Sequence, residues 1–203
     1  MSLAHAANPG RHALAARKDD LYETPPEAVE ALMRVEQLPH HIWEPACGPG
    51  SIVGILRATG HRVYATDLND WGCPDSESRI DFLMERALPL SDIGAIITNP
   101  PYKLADQFVA HALTLCPRVI MLLRLAFLES RRRSDLIDGG SLARVHVFHS
   151  RLPMMHRHGW QGPRASSSIA FAWFVWDRVI AARLSWTGYD GCCPRSLLSA
   201  TPP

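Results

Sequence analysis

The sequence predicts an α/β fold in which helices pack against a mostly parallel sheet. Short apolar segments alternate along the chain with helical patterns, which is typical of βαβ units, and no internal repeat interrupts them. The 203 residues are enough for one domain with a substantial buried core and too few for two. We expect this domain over residues 19–186, between a flexible arm at 1–18 and a flexible tail at 187–203.

The first half of the chain contains one complete βαβ unit. A helix is expected to begin near Pro25, because Thr24 can cap it and proline suits the first turn, and to continue to Gln37. The elements expected after it are a strand at 41–46, a Gly/Pro turn at 47–50, a helix at 51–59 and a strand at 62–68 that ends beside Asp67.

The second half continues the same alternation. The expected elements are a short strand near 79–83, a buried strand at 94–100, a helix at 104–116, a second buried strand at 118–128 and two late strands at 144–151 and 167–178. The alternation that indicates a strand is clearest in the last of these, where Phe171, Trp173 and Val175 recur at every second position.

Charge is distributed unevenly along a chain whose formal net charge is only +1. Residues 1–117 carry nine Lys or Arg against fifteen Asp or Glu, whereas residues 118–183 carry eleven Arg against four acids. An arginine-rich segment that also contains histidines and a tryptophan suits phosphate contacts and base stacking. Each arginine taken singly is equally well explained as a solvated surface charge. The candidate nucleic-acid contacts are Arg131, Arg132, Arg133, Arg157 and Trp160.

Composition argues against a membrane-spanning, secreted or metal-dependent protein. No apolar stretch approaches the ~20 residues that cross a bilayer, and the N-terminus lacks the continuous apolar core of a signal peptide. The five cysteines are odd in number and form neither a CxxC pair nor zinc-finger spacing. We therefore expect reduced thiols, no metal and a cytoplasmic location.

The strongest chemical signal is the tetrapeptide Asn99-Pro100-Pro101-Tyr102, which directly follows an apolar strand. In open α/β sheets ligands bind at that edge. The prolines fix the backbone so that the side-chain oxygen of Asn99 and the carbonyl of Pro100 can converge on one amino group, while Tyr102 offers a flat face for stacking. Accepting both hydrogens of a conjugated amino group makes its nitrogen more nucleophilic, so positioning and hydrogen bonds carry the rate. As an isolated motif, the tetrapeptide can also be a simple strand-ending turn.

The first βαβ unit carries a second set of ligand-binding features. Glycines in the segment Glu44-Pro45-Ala46-Cys47-Gly48-Pro49-Gly50 let the backbone approach a ligand, but the segment is not the GxGxxG fingerprint of dinucleotides. A ligand with no pyrophosphate and with a charged amino-acid tail fits better, and Glu44 can receive its ammonium group. Asp67 can accept hydrogen bonds from both ribose hydroxyls, and Asp81 and Phe82 can hold an adenine ring.

In this order the motifs resemble those of the amino-methyltransferases that use S-adenosylmethionine, most closely the N6-adenine DNA methyltransferases of the gamma motif order. The resemblance covers roughly residues 20–128 and includes the segment Tyr22-Glu23-Thr24-Pro25-Pro26-Glu27, which is similar to the family's amino-terminal cofactor motif. It implies that residues 99–102 grip an adenine flipped out of DNA. The residues that it implies for binding S-adenosylmethionine are Tyr22, Thr24, Pro25, Glu44, Pro45, Ala46, Cys47, Gly48, Gly50, Asp67, Leu68, Asp81, Phe82 and Asn99.

The resemblance also implies a Rossmann-like class I methyltransferase fold: a mostly parallel seven-stranded sheet with an antiparallel last strand and helices on both faces. The two late strands are the candidates for the closing hairpin. Their connection, 152–166, falls where the family places a loop that encloses the target base, and Trp160 within it either stacks on that base or anchors the loop to the core. The arginines at 131–133 follow the fifth strand and can contact DNA phosphates at the same edge.

The chain departs from larger family members because it has no long target-recognition domain, as in small phage-type enzymes. Specificity would then come from short loops or a partner protein, or be low. Two other methyl acceptors stay open. One is an amino nitrogen of RNA, since base flipping and stacking serve both polymers, and the other is a protein glutamine, against which the segment 44–47 and the arginine-rich half argue. A nucleic-acid-binding module that keeps the fold without turnover is the non-enzymatic alternative.

Overall fold

The computed structural model describes residues 21–139, 141–154 and 168–178. The strands are β1 (His41–Glu44), β2 (Arg62–Asp67), β3 (Ser76–Ser78), β4 (Ala95–Thr98), β5 (Arg118–Arg124), β6 (Leu142–Val147) and β7 (Phe171–Asp177). The helices are α1 (Pro26–Val35), α2 (Ser51–Ala58), α3 (Ala105–Leu115) and α4 (Ser134–Asp138). All seven strands belong to one sheet, in the order β3-β2-β1-β4-β5-β7-β6.

The strand directions confirm the fold class expected from the sequence. Strands β1 to β5 pair in parallel, and β7 runs antiparallel to both of its neighbours, β5 and β6. The chain first builds outward from β1 to β3 and then crosses over to β4 on the other side of β1. The strand order therefore reverses between β1 and β4, and in open α/β sheets a reversal of this kind leaves a crevice at the carboxyl ends of the strands.

Two apolar layers bury the two faces of the sheet. Helices α1 and α2 pack on one face together with Ile42, Ile120 and Leu122, whereas α3 and α4 pack on the other face. Neighbouring residues of one strand point into different layers, as Ile42 and Trp43 do in β1. Because both faces are covered, central strands such as β5 are continuously apolar, which is how the sequence revealed them.

Four expected strands differ from the structure by three residues or more at one end. Those expected at 144–151 and 167–178 are β6 (Leu142–Val147) and β7 (Phe171–Asp177), and the other two also differ in the type of backbone. The strand expected at 79–83 lies instead at Ser76–Ser78, and Arg79 ends it with a left-handed backbone, φ 65°. The strand expected at 118–128 stops at Arg124, after which a short 3-10 helix begins. In both places an aromatic side chain, Phe82 or Phe127, turns into the core from a helical turn. The apolar pattern of these two segments predicted correctly that they contain buried side chains, but it did not predict their type of backbone.

Several expectations concern parts of the chain outside the described residues: the arm at 1–18, the tail at 187–203, and the candidate contacts Arg157 and Trp160. None of the described helices has the length and apolar character needed to cross a bilayer. Within the same residues, no three His, Cys, Asp or Glu side chains come together in a group that could hold a metal ion.

Candidate active site

A cavity of about 440 Å³ opens at the carboxyl edge of the sheet. This volume lies within the range of roughly 300–1,000 Å³ that is usual for small-molecule sites. Its wall is lined by predicted site residues from separate segments of the chain. They are Tyr22, Thr24, Pro45, Ala46, Cys47, Gly48, Asp67, Leu68, Asp81, Phe82, Asn99, Pro100, Pro101 and Tyr102.

The turn between β1 and α2 forms one side of this cavity, and its glycines are required by the backbone. Gly48 has φ 52° and Gly50 has φ 95°, a left-handed conformation that side chains disfavour. Space is also lacking, because a Cβ on Gly48 would lie 2.9 Å from Cδ1 of Leu21 and one on Gly50 would lie 2.8 Å from Sγ of Cys73. The glycines therefore let this turn pack closely against its neighbours.

Asp67, at the end of β2, holds two loops in place. Its Oδ2 accepts the backbone N–H of Gly48 at 2.9 Å. Its Oδ1 accepts the backbone N–H of Asn69 at 2.9 Å and the indole N–H of Trp71 at 3.1 Å. A carboxylate offers about four acceptor sites, so one site on Oδ2 remains for a ligand hydroxyl. The expectation that Asp67 receives two ribose hydroxyls would require Trp71, a wall residue that the sequence analysis missed, to give up its bond.

Glu44 lies beneath the cavity wall and not on it. Its side chain is fully buried at the end of β1, and the backbone N–H of Ala46 donates to Oε1 at 3.4 Å. Burial raises the pKa of Glu44 to about 8, and repulsion from Asp67 acts in the same direction. A pKa of about 8 favours the protonated form of this carboxyl group at neutral pH. The structure does not bring Glu44 to the position where a ligand ammonium would meet it.

Pro25 and Gly50 are the other two selected residues that do not line the cavity. Both stand at the N-cap positions of helices, Pro25 for α1 and Gly50 for α2, and neither helix has a side-chain cap. The expected capping role of Thr24 is therefore wrong. Thr24 is buried on the cavity wall instead, one residue before the N-cap of the helix.

The amide of Asn99 is oriented by the segment 22–27, which resembles the amino-terminal cofactor motif. Its Nδ2 donates to the backbone carbonyl of Tyr22 at 3.0 Å. Its Oδ1 is shielded from solvent and has no hydrogen-bond partner in the described part of the chain. A buried acceptor without a donor costs about 1–3 kcal/mol, so an N–H group that reached Oδ1 would remove this cost.

The ring of Tyr102 lies on the cavity wall and contacts three other side chains. Tyr22 stacks on it with ring centroids 5.3 Å apart and an angle of 29° between the planes. The guanidinium of Arg124 lies over the same ring, 4.6 Å from its centroid, and Phe171 is 5.7 Å away. The ring that was expected to receive a base is thus in contact with Tyr22, Arg124 and Phe171.

The charges on the wall are mainly negative. Among the described residues that line the cavity, Glu23, Asp67 and Asp81 are carboxylates and Lys103 is the one ammonium. Asp81 also accepts the backbone N–H of Leu83 at 3.0 Å, which begins the 3-10 turn that buries Phe82. An acidic site of this kind favours a cationic ligand over a phosphate.

The arginine triplet divides into one structural residue and two exposed ones. Arg133 donates from Nε to Asp106 at 2.6 Å and covers the ring of Phe127 at 4.7 Å. Its guanidinium therefore already binds a carboxylate, and the expected phosphate contact of Arg133 stays a prediction. Arg131 and Arg132 face solvent. The side chain of Arg132 is 88% exposed, and its one ion-pair contact in the described part of the chain is with Asp106, at 4.0 Å.

Other arginines of the basic half are also committed to the fold. At the amino end of β5, Arg118 and Arg144 bind the nearly buried carboxylate of Glu36 at 2.8 and 2.5 Å, and His146 lies 2.7 Å from it. Burial alone would raise the pKa of Glu36, but hydrogen bonds from these partners outweigh that effect and hold the pKa below its usual value. The excess of arginine in the sequence thus overstates the positive charge at the surface.

Comparison with known proteins gives the fold. No protein-family model matches the chain, and no curated protein is similar to it in sequence. A proposed RNA methyltransferase from Pyrococcus horikoshii superposes with a TM-score of 0.56 at 12% identity, over 77% of this chain and 85% of that chain. A dimethyladenosine transferase from Plasmodium falciparum gives 0.53 at 11% identity, over 77% and 62% of the two chains.

A modification subunit of a proposed type I restriction enzyme from Vibrio vulnificus gives a TM-score of 0.51 at 15% identity, over 81% of this chain and 46% of that chain. Identities this low show a shared architecture and no more. The superpositions, together with the strand order and the antiparallel strand β7, show that the described chain has the Rossmann-like class I methyltransferase fold.

Proposed function

We propose that this protein transfers the methyl group of S-adenosylmethionine to the exocyclic amino nitrogen, N6, of an adenine flipped out of DNA. The observation that carries the proposal is the amide of Asn99, whose Oδ1 is buried beside the cavity with no donor among the described residues, while Nδ2 is held by Tyr22. An exocyclic amino group supplies the N–H that this oxygen lacks. The oxygen also stands at the switch point of the sheet, where ligands of this architecture bind.

The cavity fits the proposed cofactor. The free acceptor site of Asp67 suits a ribose hydroxyl, Leu68 and Phe82 offer apolar contact for an adenine ring, and the carboxylates on the wall favour a cation. S-adenosylmethionine would supply a methyl group bound to a positively charged sulfur. No dinucleotide phosphate site is required, which agrees with a turn that has only two glycines.

The residues of this chain would act by holding the amino group. Asn99 Oδ1 and the carbonyl of Pro100 accept its two hydrogens, which weakens the conjugation of the nitrogen lone pair with the ring and directs that lone pair at the methyl group. On receiving the methyl group, the nitrogen would become cationic and would lose one proton to solvent, while the rest of the cofactor would leave as a neutral thioether. Catalysis then depends on fixed hydrogen-bond acceptors and on positioning, without a dedicated general base.

A nucleic acid is the substrate that the surroundings favour. Tyr22 and Tyr102 place aromatic rings beside the amide, and Arg124, Arg131 and Arg132 expose positive charge in the segments that follow. Aromatic stacking and exposed arginine are the means by which enzymes hold a flipped base and its phosphates. The three structural neighbours, described as acting on RNA or adenosine or as part of a restriction enzyme, also support a nucleic-acid substrate.

The test is to express the full chain in a bacterial host that lacks DNA methylation and to map modified bases across the genome. We expect N6-methyladenine in the DNA of cells with the parent protein, and none with Asn99→Ala. Purified parent protein is then incubated with labelled S-adenosylmethionine and either DNA or RNA. Transfer to RNA but not to DNA would overturn the DNA assignment, and transfer to neither would overturn the proposed function.

A further inference from the structure

Arg124 ends β5 at the rim of the candidate active site, with an exposed side chain. It pairs with Phe171 in the β5–β7 register, and its guanidinium lies 4.6 Å over the centroid of the Tyr102 ring. Within the described residues this ring is the one side-chain partner of the guanidinium, since no hydrogen bond or ion pair joins it to them. It differs in this from Arg133 and Arg144, whose guanidinium groups bind carboxylates.

A continuous series of contacts links this arginine to the buried amide. Arg124 covers Tyr102, Tyr102 stacks on Tyr22, and the carbonyl of Tyr22 accepts the amide N–H of Asn99. Because Asn99 Oδ1 is shielded from solvent, an incoming amino group reaches it only after a neighbouring group moves. Arg124 is the exposed member of the series, and a cation–π contact at an exposed site is weak. It is therefore the group that can leave at least cost.

The chemistry of the guanidinium indicates where it goes. Its five N–H donors form a planar fork that matches the oxygens of a phosphate, and arginine pairs with phosphate more strongly than with an aromatic ring. A nucleotide that stacks its base on Tyr102 carries phosphates on both sides of that base. The same side chain can then exchange the ring for a phosphate without leaving the rim.

Given the proposed function, we propose that Arg124 is a positioning residue for the target nucleotide: it covers Tyr102 before the nucleotide enters, yields that ring to the flipped adenine, and binds a phosphate next to it. The loss of Arg124 is then expected to weaken substrate binding, while cofactor binding and the chemical step change little. Arg124→Lys keeps the charge but not the fork, and should fall between the parent and Arg124→Gln.

The experiment measures KM and kcat for an oligonucleotide that contains the methylated context mapped in the host. The variants are Arg124→Gln, Arg124→Lys and, as a matched control, Arg34→Gln, which removes an exposed arginine near the carboxyl end of α1. For Arg124→Gln we expect KM to rise about 10-fold, as for the loss of one charge-assisted contact, with kcat within about threefold of the parent value. Affinity for S-adenosylmethionine should be unchanged in all three variants.

A second perturbation identifies the phosphate. Each phosphate that flanks the target adenine is replaced in turn by a neutral methylphosphonate. At one position the methylphosphonate should raise KM about 10-fold for the parent and for Arg34→Gln. It should not raise KM further for Arg124→Gln, because that variant already lacks the arginine that would bind the phosphate. If Arg124→Gln matches Arg34→Gln in KM, or stays as sensitive as the parent at every position, the role of Arg124 is refuted. Absence of adenine methylation by the parent would instead refute the proposed function itself.

Discussion

Replacing Glu44 by glutamine should remove a pH dependence of folding stability that the parent protein shows. Burial raises the pKa of this carboxyl group to about 8, from an ordinary value of 4.5. The folded state therefore keeps a proton that the unfolded state releases. The resulting stability is fully present below about pH 4.5, declines as the pH rises, and is lost above about pH 8. Glutamine has the shape of the neutral acid and does not titrate.

The size of the effect follows from the difference between the pKa values of Glu44 in the folded and unfolded chain. A tenfold change in proton affinity corresponds to about 1.36 kcal/mol, so the parent should lose roughly 4 kcal/mol of unfolding free energy between pH 5 and pH 8 from this group. A decline of even half this size is a large fraction of the stability of a domain. The effect is therefore well within the range that equilibrium unfolding can measure.

Urea unfolding of the parent and Glu44→Gln at about pH 5, 6.5 and 8 measures the difference directly. Glu30→Gln is the matched control, since Glu30 is half exposed on α1 and bonds only loosely to Arg34, at 3.5 Å. The parent and the control should decline together with pH, whereas Glu44→Gln should stay nearly level. Parallel curves for the parent and Glu44→Gln would refute the assignment of a buried neutral carboxyl group under the cavity.

Three further outcomes are expected. Asp67→Asn removes the charge that orients the loops on both sides of the cavity, so calorimetry should show about 10-fold weaker binding of S-adenosylmethionine, and unchanged affinity would contradict that role. Arg133→Met leaves Asp106 without its close cation and should lower the free energy of unfolding by about 1–2 kcal/mol, a loss that Arg132→Met should not show. Because the pKa of Glu36 is lowered, its ion pairs stabilise the fold above about pH 4.5 and are lost as the pH falls. The parent should therefore lose stability in acid more steeply than Glu36→Gln in urea titrations.

The sequence predicted the sheet well because burial on both faces leaves a clear apolar signal. Strands β4 and β5 are continuously apolar, and each is followed by a turn or helix pattern, so their order along the chain could be read directly. The site was predictable for a related reason. In a parallel sheet, the residues that follow successive strands meet at one edge, which is how Asp67 and Asn99 come to share a cavity wall.

What could not be predicted depends on long-range partners. The sequence gives no sign that Trp71 occupies an acceptor site of Asp67, or that the carboxyl group of Glu44 lies below the wall and not on it. The sequence also does not predict that Arg144 binds Glu36, which lies 108 residues earlier in the chain. Charge counts along a chain do not separate arginines that bind buried carboxylates from those that face solvent.

The sequence also could not predict whether short apolar segments form strands or 3-10 turns. The segment with Phe82 has a strand-like composition, yet it forms a 3-10 turn because the left-handed backbone at Arg79 has already ended the strand. The same holds for the segment with Phe127, which turns away from the sheet once β5 has passed the rim. In both cases the aromatic ring packs against a residue distant in the sequence, Phe108 for Phe82 and Phe174 for Phe127, and such contacts can override a local preference for a strand.

The central claim is that Asn99 holds the amino group during methyl transfer and is not needed to hold the cofactor. The most direct measurement compares Asn99→Ala with the parent in two assays on the same purified samples: calorimetric binding of S-adenosylmethionine, and transfer of its labelled methyl group to adenine in DNA. We predict binding within about threefold of the parent and transfer reduced at least about 100-fold. Methyl transfer at the parent rate by Asn99→Ala would contradict this role of the amide.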